Sequence, residues 1–153
     1  LGESTAANSN HMERRDLLGD DVWVLLNQGR LVPAYEYVNA QRLRRRIQHE
    51  FNRVFDQVDM LMLPSTPNTA PRIGQTTVTI NGVERDTRLL TTRCARSINL
   101  LGLPALVIPC GLSSSGMPIG LQLVGPANSE SKLVRAGAPL EDVLPRLGEP
   151  PLK

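Results

Sequence analysis

The sequence predicts an α/β protein in which a small sheet is covered by amphipathic helices. Residues 105–109 and 119–124 are short apolar runs rich in strand-forming side chains, each introduced by glycine and proline, and they indicate two strands. Between Pro33 and Gln57, apolar residues recur every three or four positions, which is the spacing of one helix face. Helix and strand signals therefore alternate along the chain, as in a layered fold.

The N-terminal third is predicted to be helical. Asp20 and Asp21 are suited to cap a short helix that ends at Gly29. Pro33 then opens a long helix, because proline is favoured in the first turn. The apolar stripe of this helix, of which Leu43, Ile47 and Val54 are expected to be buried, comprises Ala40, Leu43, Ile47, Phe51, Val54 and Val58.

Three strands are predicted to share one sheet. Residues 60–63 are all apolar and precede Pro64, which indicates a strand buried on both faces, and the strands over 105–109 and 119–124 are also apolar on both faces. A Ser/Gly loop between the last two strands is expected to be an exposed turn. Residues 76–80 alternate in polarity and lead into Asn81-Gly82, the strongest hairpin signal in the chain.

Two further helices are predicted, one over residues 87–100 and a closing helix over 129–144. The closing helix is expected to be capped by Ser129 or Asn128 and interrupted by Pro139. The whole chain then divides into a helical segment (1–57), a sheet-and-helix segment (58–144) and a flexible tail (145–153), which contains Pro145, Pro150 and Pro151.

Length and composition limit the classes of function. The 153 residues suffice for one domain with a sizeable core. The chain has 17 basic and 15 acidic residues, and a net charge of +2 is too small to favour binding to nucleic acid or to an anionic membrane. No apolar run approaches the ~20 residues that span a bilayer. The chain starts without Met and without a signal-peptide layout, which fits a fragment or a processed chain. The expected location is the cytoplasm.

Two blocks of the sequence carry a family resemblance. The run NLLGLPALVIPCGLSSSGMPIGLQLVG (99–125), together with DMLMLPSTP (59–67), resembles the C-terminal signature of the amidase-signature hydrolases. The resemblance extends from Glu3 to the closing SKLVRAGAPLEDVL stretch. Arg96 fits a position that is often basic in relatives, whereas Ala95 and Ser97 stand where many relatives have Thr and Pro. The implied fold is the C-terminal part of an amidase, with a mixed sheet covered by helices.

The resemblance implies amide hydrolysis by a Ser–Ser–Lys triad, with no cofactor. The family's catalytic residues lie upstream of the matched region, so no catalytic residue is predicted in this chain. The serines at 113–115 lie in a turn between strands and lack the Gly-x-Ser-x-Gly elbow, which favours a solvated turn. Neither Lys132, on a surface helix, nor Lys153, at the terminus, has the features of a buried base.

Arg96 and Asn99 are the candidate substrate-pocket residues. For Asn99, two interpretations stay open: it ties down backbone groups at a helix end, or it lies near the substrate. No metal site is predicted, because His11 and His49 lack ligand spacing. Cys94 and Cys110 make no metal-ligand pattern either, and both are compatible with free thiols. Cys110 is expected to be a packed thiol rather than a nucleophile. A cluster of arginines is interpreted as a solvated helix face and not as a phosphate site: Arg42, Arg44, Arg45, Arg46 and Arg53.

The sequence therefore favours the C-terminal part of an amidase-signature amide hydrolase that is inactive alone and contributes core and one wall of the pocket for a small-molecule amide. The alternative is a non-catalytic amidase-like module or paralogue that pairs with a partner chain. No nucleic-acid or membrane partner is expected. Uncovered strand edges predict a homo-oligomer.

Overall fold

The computed structural model describes residues 1–148 and separates the chain into two compact units, Leu1–Ile47 and a second unit that begins at Gln48. The predicted tail falls largely beyond this range, since Pro150, Pro151 and Lys153 lie outside the described residues. The helices are α1 (Gly2–Ala7), α2 (Asp20–Arg30), α3 (Ala34–Asn52), α4 (Thr87–Thr91), α5 (Arg93–Leu101) and α6 (Glu130–Val143). The strands are β1 (Leu61–Pro64), β2 (Thr77–Ile80), β3 (Val83–Asp86), β4 (Ala105–Leu112) and β5 (Pro118–Val124).

The first unit is organised by close packing of α1 against α2. The Thr5 hydroxyl donates a hydrogen bond to the Leu26 carbonyl over 2.8 Å. A Cβ at Gly29 would meet the Thr5 side chain and the Leu1 carbonyl oxygen, so only glycine fits this crossing without a shift. The predicted end at Gly29 falls one residue before the observed end at Arg30, and Gly29 itself lies within α2, where it permits the close approach of α1. Asp20 and Asp21 lie in the first helical turn rather than at the cap, where their charges favour the helix dipole.

Helix α3 begins directly after Pro33, as predicted, and ends at Asn52, where a 3₁₀ turn (Arg53–Asp56) continues the chain. The prediction that its apolar stripe is buried is wrong. Leu43 is 56% exposed, Val54 is 37% exposed and Ile47 is only half-buried. Periodicity identifies a face that is able to pack, and the described residues place too little protein over this one to bury it. None of the helices within residues 1–148 combines the length and apolarity required to cross a membrane.

The main sheet has three antiparallel strands in the order β1-β5-β4. The register aligns Leu63, Gln122 and Val107 across the sheet, and the next row consists of Met62, Leu123 and Leu106. Side chains in adjacent rows point to opposite faces. Strand β4 continues to Leu112, beyond its predicted end, through an irregularity at Cys110. All three predicted strands thus lie in one sheet, and the α/β fold class is confirmed, but the strand pairings within residues 1–148 are antiparallel and not mixed.

The predicted burial on both faces is wrong for β1 and β4 and is confirmed for the second half of β5. Exposed and half-buried residues alternate along β1, and Met62 is 60% exposed. Val107 on β4 is 52% exposed. Strand β5 differs, because Gln122, Leu123 and Val124 are buried in succession and therefore on both faces, whereas the edge strands β1 and β4 leave alternate side chains exposed.

The core lies between α6 and one sheet face. Ile108, Leu123 and Leu133 form its centre, and further side chains pack around them: Met60, Leu106, Ala136, Leu140 and Leu144. A Cβ at Gly137 would meet the Leu106 side chain and approach Ile108 Cδ1 to 3.2 Å, so glycine lets α6 lie close to β4.

Helix α6 runs through Pro139, and the prediction that proline interrupts it is wrong. Pro139 lies on the exposed side of the helix. The carbonyl of Arg135, which loses its helical donor at this point, belongs to an exposed residue and is open to hydration. Ser129 holds the predicted N-cap position, but its hydroxyl donates to the Pro126 carbonyl over 2.6 Å instead of accepting from the helix.

Strands β2 and β3 form the predicted hairpin. Asn81 and Gly82 have φ values of 51° and 76°, which are the left-handed conformations of a type I′ turn. The helix predicted over residues 87–100 is instead two helices, α4 and α5, divided at Thr92. Helix α4 starts with a true cap, since Asp86 Oδ1 accepts from the Leu89 N–H over 2.8 Å.

Candidate functional site

Both predicted pocket residues lie on α5. Arg96 and Asn99 are three positions apart and therefore lie on neighbouring parts of one helix surface. Ile98 and Leu101 are the buried residues of the helix and fix it against the protein. Gln48 donates from its side chain to the Leu101 carbonyl over 2.9 Å, which ties the end of α5 to the start of the second unit.

At Asn99, the backbone and not the side chain closes the helix. The Gly102 N–H donates to the Asn99 carbonyl over 3.1 Å, and Gly102 has the left-handed φ of 68° that is typical of this helix ending. The Asn99 side chain is exposed and makes no hydrogen bond with any residue in the range 1–148. Its amide is therefore available to bind a ligand.

Arg96 lies in a groove next to the β3–α4 segment. Its guanidinium donates to Thr92 Oγ1 and, over 3.4 Å, to the Leu89 carbonyl. The groove has a volume of about 470 Å³ and is lined by Glu84, Arg85, Asp86, Leu89, Leu90, Arg93 and Arg96. Asn99 is not part of this lining, so the structure places the two candidates on one helix but not in one cavity.

Gln122 is a polar residue that the sequence prediction did not include in the site. It occupies the central strand β5, is only 4% exposed, and its Nε2 has no hydrogen-bond partner among the described residues. An unpaired buried donor costs about 1–3 kcal/mol, so its presence needs a reason. The signal that could have identified it is the single polar side chain in the apolar run PIGLQLV.

Gln122 points to the sheet face opposite α6, because its neighbour Leu123 belongs to the α6 core. Ser65 lies on the same face. Its backbone N–H donates to the Gly120 carbonyl over 2.9 Å, and a Cβ at Gly120 would meet Ser65 and Val107. This face, which we call the open face, carries the half-buried Ser65 and the exposed Val107, whereas the Gln122 amide within it is closed off from solvent.

The serine-rich loop between β4 and β5 has the geometry of a solvated turn. The Ser113 and Ser115 hydroxyls lie 2.9 Å apart, and Ser113 Oγ also accepts from the Met117 N–H over 3.1 Å. Ser114 is exposed. Within residues 1–148, no basic side chain hydrogen-bonds to this loop, so it lacks the base that a serine nucleophile requires.

Lys132 is engaged by an ion pair. Its Nζ donates to Asp59 Oδ1 over 2.6 Å, and this hydrogen bond, together with the ammonium charge, lowers the pKa of the Asp59 carboxyl. An ammonium used in this way is not the neutral lysine that a Ser–Ser–Lys mechanism needs. Both side chains are largely accessible to solvent, so the pair links α6 to the start of β1 without forming a catalytic pocket.

The other candidates have no catalytic geometry. His11 and His49 are exposed, and no group of His, Cys, Asp or Glu within residues 1–148 is arranged to hold a metal ion. Cys94 and Cys110 are both free and half-buried, and Cys110 Sγ donates to the Ile119 carbonyl over 3.5 Å. In the arginine group on α3 and the following turn, Arg44 is half-buried and the rest are exposed: Arg42, Arg45, Arg46 and Arg53.

Comparison with known proteins gives a consistent result. Residues 3–134 match the family described as Amidase. The chain is 40% identical over 108 residues to a fatty acid amide hydrolase of Medicago truncatula, covering 71% of this chain and 18% of that protein. It is 45% identical over 101 residues to one component of the glutamyl-tRNA(Gln) amidotransferase of Chloroflexus aurantiacus, covering 66% of this chain and 20% of that component.

Solved structures agree with these sequence matches. A crystal structure of an amidase superposes with a TM-score of 0.87 at 26% identity, covering 94% of this chain and 33% of that chain. A second structure, described as a vestigial protein complex that reveals the origins of an s-triazine catabolic enzyme, gives a TM-score of 0.84 at 29% identity and covers 95% and 32% of the two chains. The chain thus spans about a fifth of the curated relatives and about a third of the solved chains that it matches.

Replacing Lys132 with Met should raise the pKa of Asp59 towards its ordinary value, because the ammonium donor is lost. The lowered pKa means that the pair stabilises the folded chain above the unfolded pKa of about 3.9 and that this contribution disappears as pH falls through the folded pKa. An NMR titration of the Asp59 carboxyl carbon measures the change. Arg135→Met, which removes another exposed cation from α6, is the matched control. An Asp59 titration identical in K132M and the unsubstituted chain would contradict the assignment.

Replacing Gln122 with Met should leave the free energy of unfolding unchanged or raise it by up to about 2 kcal/mol, because Met fills a similar volume without an unpaired donor. Urea denaturation measures this difference. Gln57→Met, at an exposed position of the same unit, should change it by less than about 0.5 kcal/mol. A loss of more than about 1 kcal/mol in Q122M would mean that the amide has a partner in the folded chain.

Proposed function

The chain belongs to the amidase family, and on that premise we propose that it forms the C-terminal part of an amidase-signature amide hydrolase. One observation carries the proposal: the signature run folds as the β4–β5 hairpin, sealed by α6 on one face and carrying Ser65 and Gln122 on the other. Such an element supplies sheet and core to an enzyme and one wall of its pocket.

The proposed chemistry is acyl transfer from an amide substrate. A neutral lysine takes a proton, through a bridging serine, from the nucleophilic serine, which attacks the amide carbonyl, and backbone N–H groups hold the resulting oxyanion. We assign these groups to protein outside residues 1–148, because the only described lysine is paired with Asp59 and the described serine loop has no base. Within this chain, Arg96 and Asn99 are the proposed contributors to the pocket.

A small-molecule amide is the proposed substrate. Two of the matched relatives are named fatty acid amide hydrolase and glutamyl-tRNA(Gln) amidotransferase, and both names describe amide chemistry. The choice of amide depends on loops that this chain only partly supplies.

A second candidate is a non-catalytic module that pairs with a partner chain or with itself. It is favoured by the apolar side chains left on the surface, among them Leu43 on α3 and Val107 on β4. Surfaces of this kind are typical of protein–protein contact.

Purified alone, the chain should hydrolyse aryl and aliphatic p-nitroanilides no faster than buffer, because no serine–lysine pair lies within residues 1–148. Absorbance of released p-nitroaniline measures the rate. Activity that disappears in Ser114→Ala would show that the serine loop is catalytic and would contradict the proposal.

A chimera tests whether this chain supports amide hydrolysis when it forms part of an intact enzyme. The 108-residue segment of the Medicago truncatula enzyme that matches this chain is replaced by the corresponding residues here. The chimera should retain amide hydrolysis, and Asn99→Ala within it should raise KM by about threefold to tenfold, as expected for one lost hydrogen bond. The exposed Asn52→Ala is the matched control and should leave KM unchanged. A folded but inactive chimera would favour the partner-binding candidate.

Light scattering separates the second candidate from a simple monomer. We expect dilute protein to have at least twice the mass of one chain, because α3 and the open face leave apolar side chains uncovered. Leu43→Glu should shift the mass towards one chain, whereas Arg42→Glu, at the neighbouring exposed position, should not. A monodisperse mass of one chain for the unsubstituted protein would contradict self-association.

A further inference from the structure

The groove beside Arg96 holds more positive charge than its protein neighbours neutralise. Three guanidinium groups line it, from Arg85 on β3 and from Arg93 and Arg96 on α5. Two carboxylates, Glu84 and Asp86, line the same groove. The lining therefore carries a net charge of about +1 at neutral pH, from the ordinary charges of its side chains.

The carboxylates do not hold these arginines in ion pairs. Among residues 1–148, none of the three guanidinium groups lies within ion-pair distance of an acidic side chain. Asp86 is committed elsewhere, because its Oδ1 accepts from the Leu89 N–H as the cap of α4. Arg85 and Arg93 also make no side-chain hydrogen bond within the described range. Their donors thus face the groove or solvent.

Arg96 is oriented in advance. Its Nη2 is held by Thr92 Oγ1 and by the Leu89 carbonyl, which leaves the remaining guanidinium N–H groups to another acceptor. A guanidinium whose position is already restricted loses less entropy when it binds a ligand.

The groove also has an apolar side. Leu90 is only 7% exposed and forms part of the lining, whereas Leu89 remains largely exposed beside it. A ligand that combines a charged oxygen group with a short apolar stem would satisfy both parts of this surface.

We propose that the groove binds an oxyanion, a carboxylate or a phosphate, carried on a short apolar stem. Arginine presents planar pairs of N–H donors that match the oxygens of either group. The stem packs on Leu89 and Leu90, while Arg93 and Arg96 contact the oxygens. The groove shares Arg96 with the amide pocket proposed above, but oxyanion binding requires only groups within this chain and is measured without amide hydrolysis.

The test is an NMR titration of the purified chain at low salt, which reads the arginine Nε–H signals and does not depend on activity. Inorganic phosphate, acetate and hexanoate are the probes. Saturable shifts at Arg93 and Arg96 are expected, and hexanoate should bind more tightly than acetate because of its stem. Tighter binding of phosphate than of acetate, the two probes without a long stem, would identify the headgroup as a phosphate, and the reverse order would identify a carboxylate.

Variants locate the site. Arg93→Gln and Arg96→Gln should each weaken binding by about threefold to tenfold, since each removes a partly solvated charge-assisted contact. Arg135→Gln on α6 removes the same charge outside the groove and should leave affinity unchanged. Arg93→Lys keeps the charge but loses the planar fork, so intermediate binding is expected. Unchanged thermal midpoints confirm that the variants fold.

Three results would overturn the proposal. These are an absence of saturable shifts, equal weakening by R135Q and R96Q, and equal affinity for acetate and hexanoate. Equal weakening by R135Q and R96Q would mean that binding depends only on the net charge of the chain. Equal affinity for acetate and hexanoate would mean that Leu89 and Leu90 do not contact the stem. None of them bears on amide hydrolysis by a chimera, so the two proposals fail separately.

Discussion

The packing of α6 on one face of the three-stranded sheet organises the second unit. The helix reaches β4 at Gly137, where any side chain would displace Leu106 or Ile108. This contact fixes which residues of β4 and β5 face α6, since a shift of one residue in register would turn every apolar side chain to the opposite face. The antiparallel register, with Leu123 between Met62 and Leu106, follows from it.

The same packing also determines which side chains lie on the open face. Side chains that do not face α6 must face away from it, and they include the buried amide of Gln122 and the hydroxyl of Ser65. A polar donor at the centre of a sheet is costly unless an acceptor reaches it. The same packing arrangement therefore forms the core on one side and leaves an unpaired buried donor on the other.

The groove arises from a different local feature, the break between α4 and α5. Because the chain turns at Thr92, the arginines of α5 are presented beside β3 instead of continuing along a single helix. The cap from Asp86 both starts α4 and removes one carboxylate oxygen from pairing with those arginines. Local helix chemistry thus sets the electrostatics of the surface.

Elements whose signals are local could be predicted from the amino-acid sequence, whereas the coverage of their faces could not. The Asn81-Gly82 turn requires left-handed backbone that few residue pairs adopt, Pro33 is suited to open a helix, and the three apolar runs share one sheet, as predicted. The family and the α/β class were also predictable, because the signature run combines glycine and proline positions that constrain backbone conformation. By contrast, the exposure of Leu43 and the unpaired amide of Gln122 depend on what lies next to each residue in space. The periodicity of apolar residues shows that a helix or strand face is able to pack. Whether that face is buried depends on a second surface, which is supplied by residues far away in the sequence. The same tertiary packing sets the distances between a site residue and its partners.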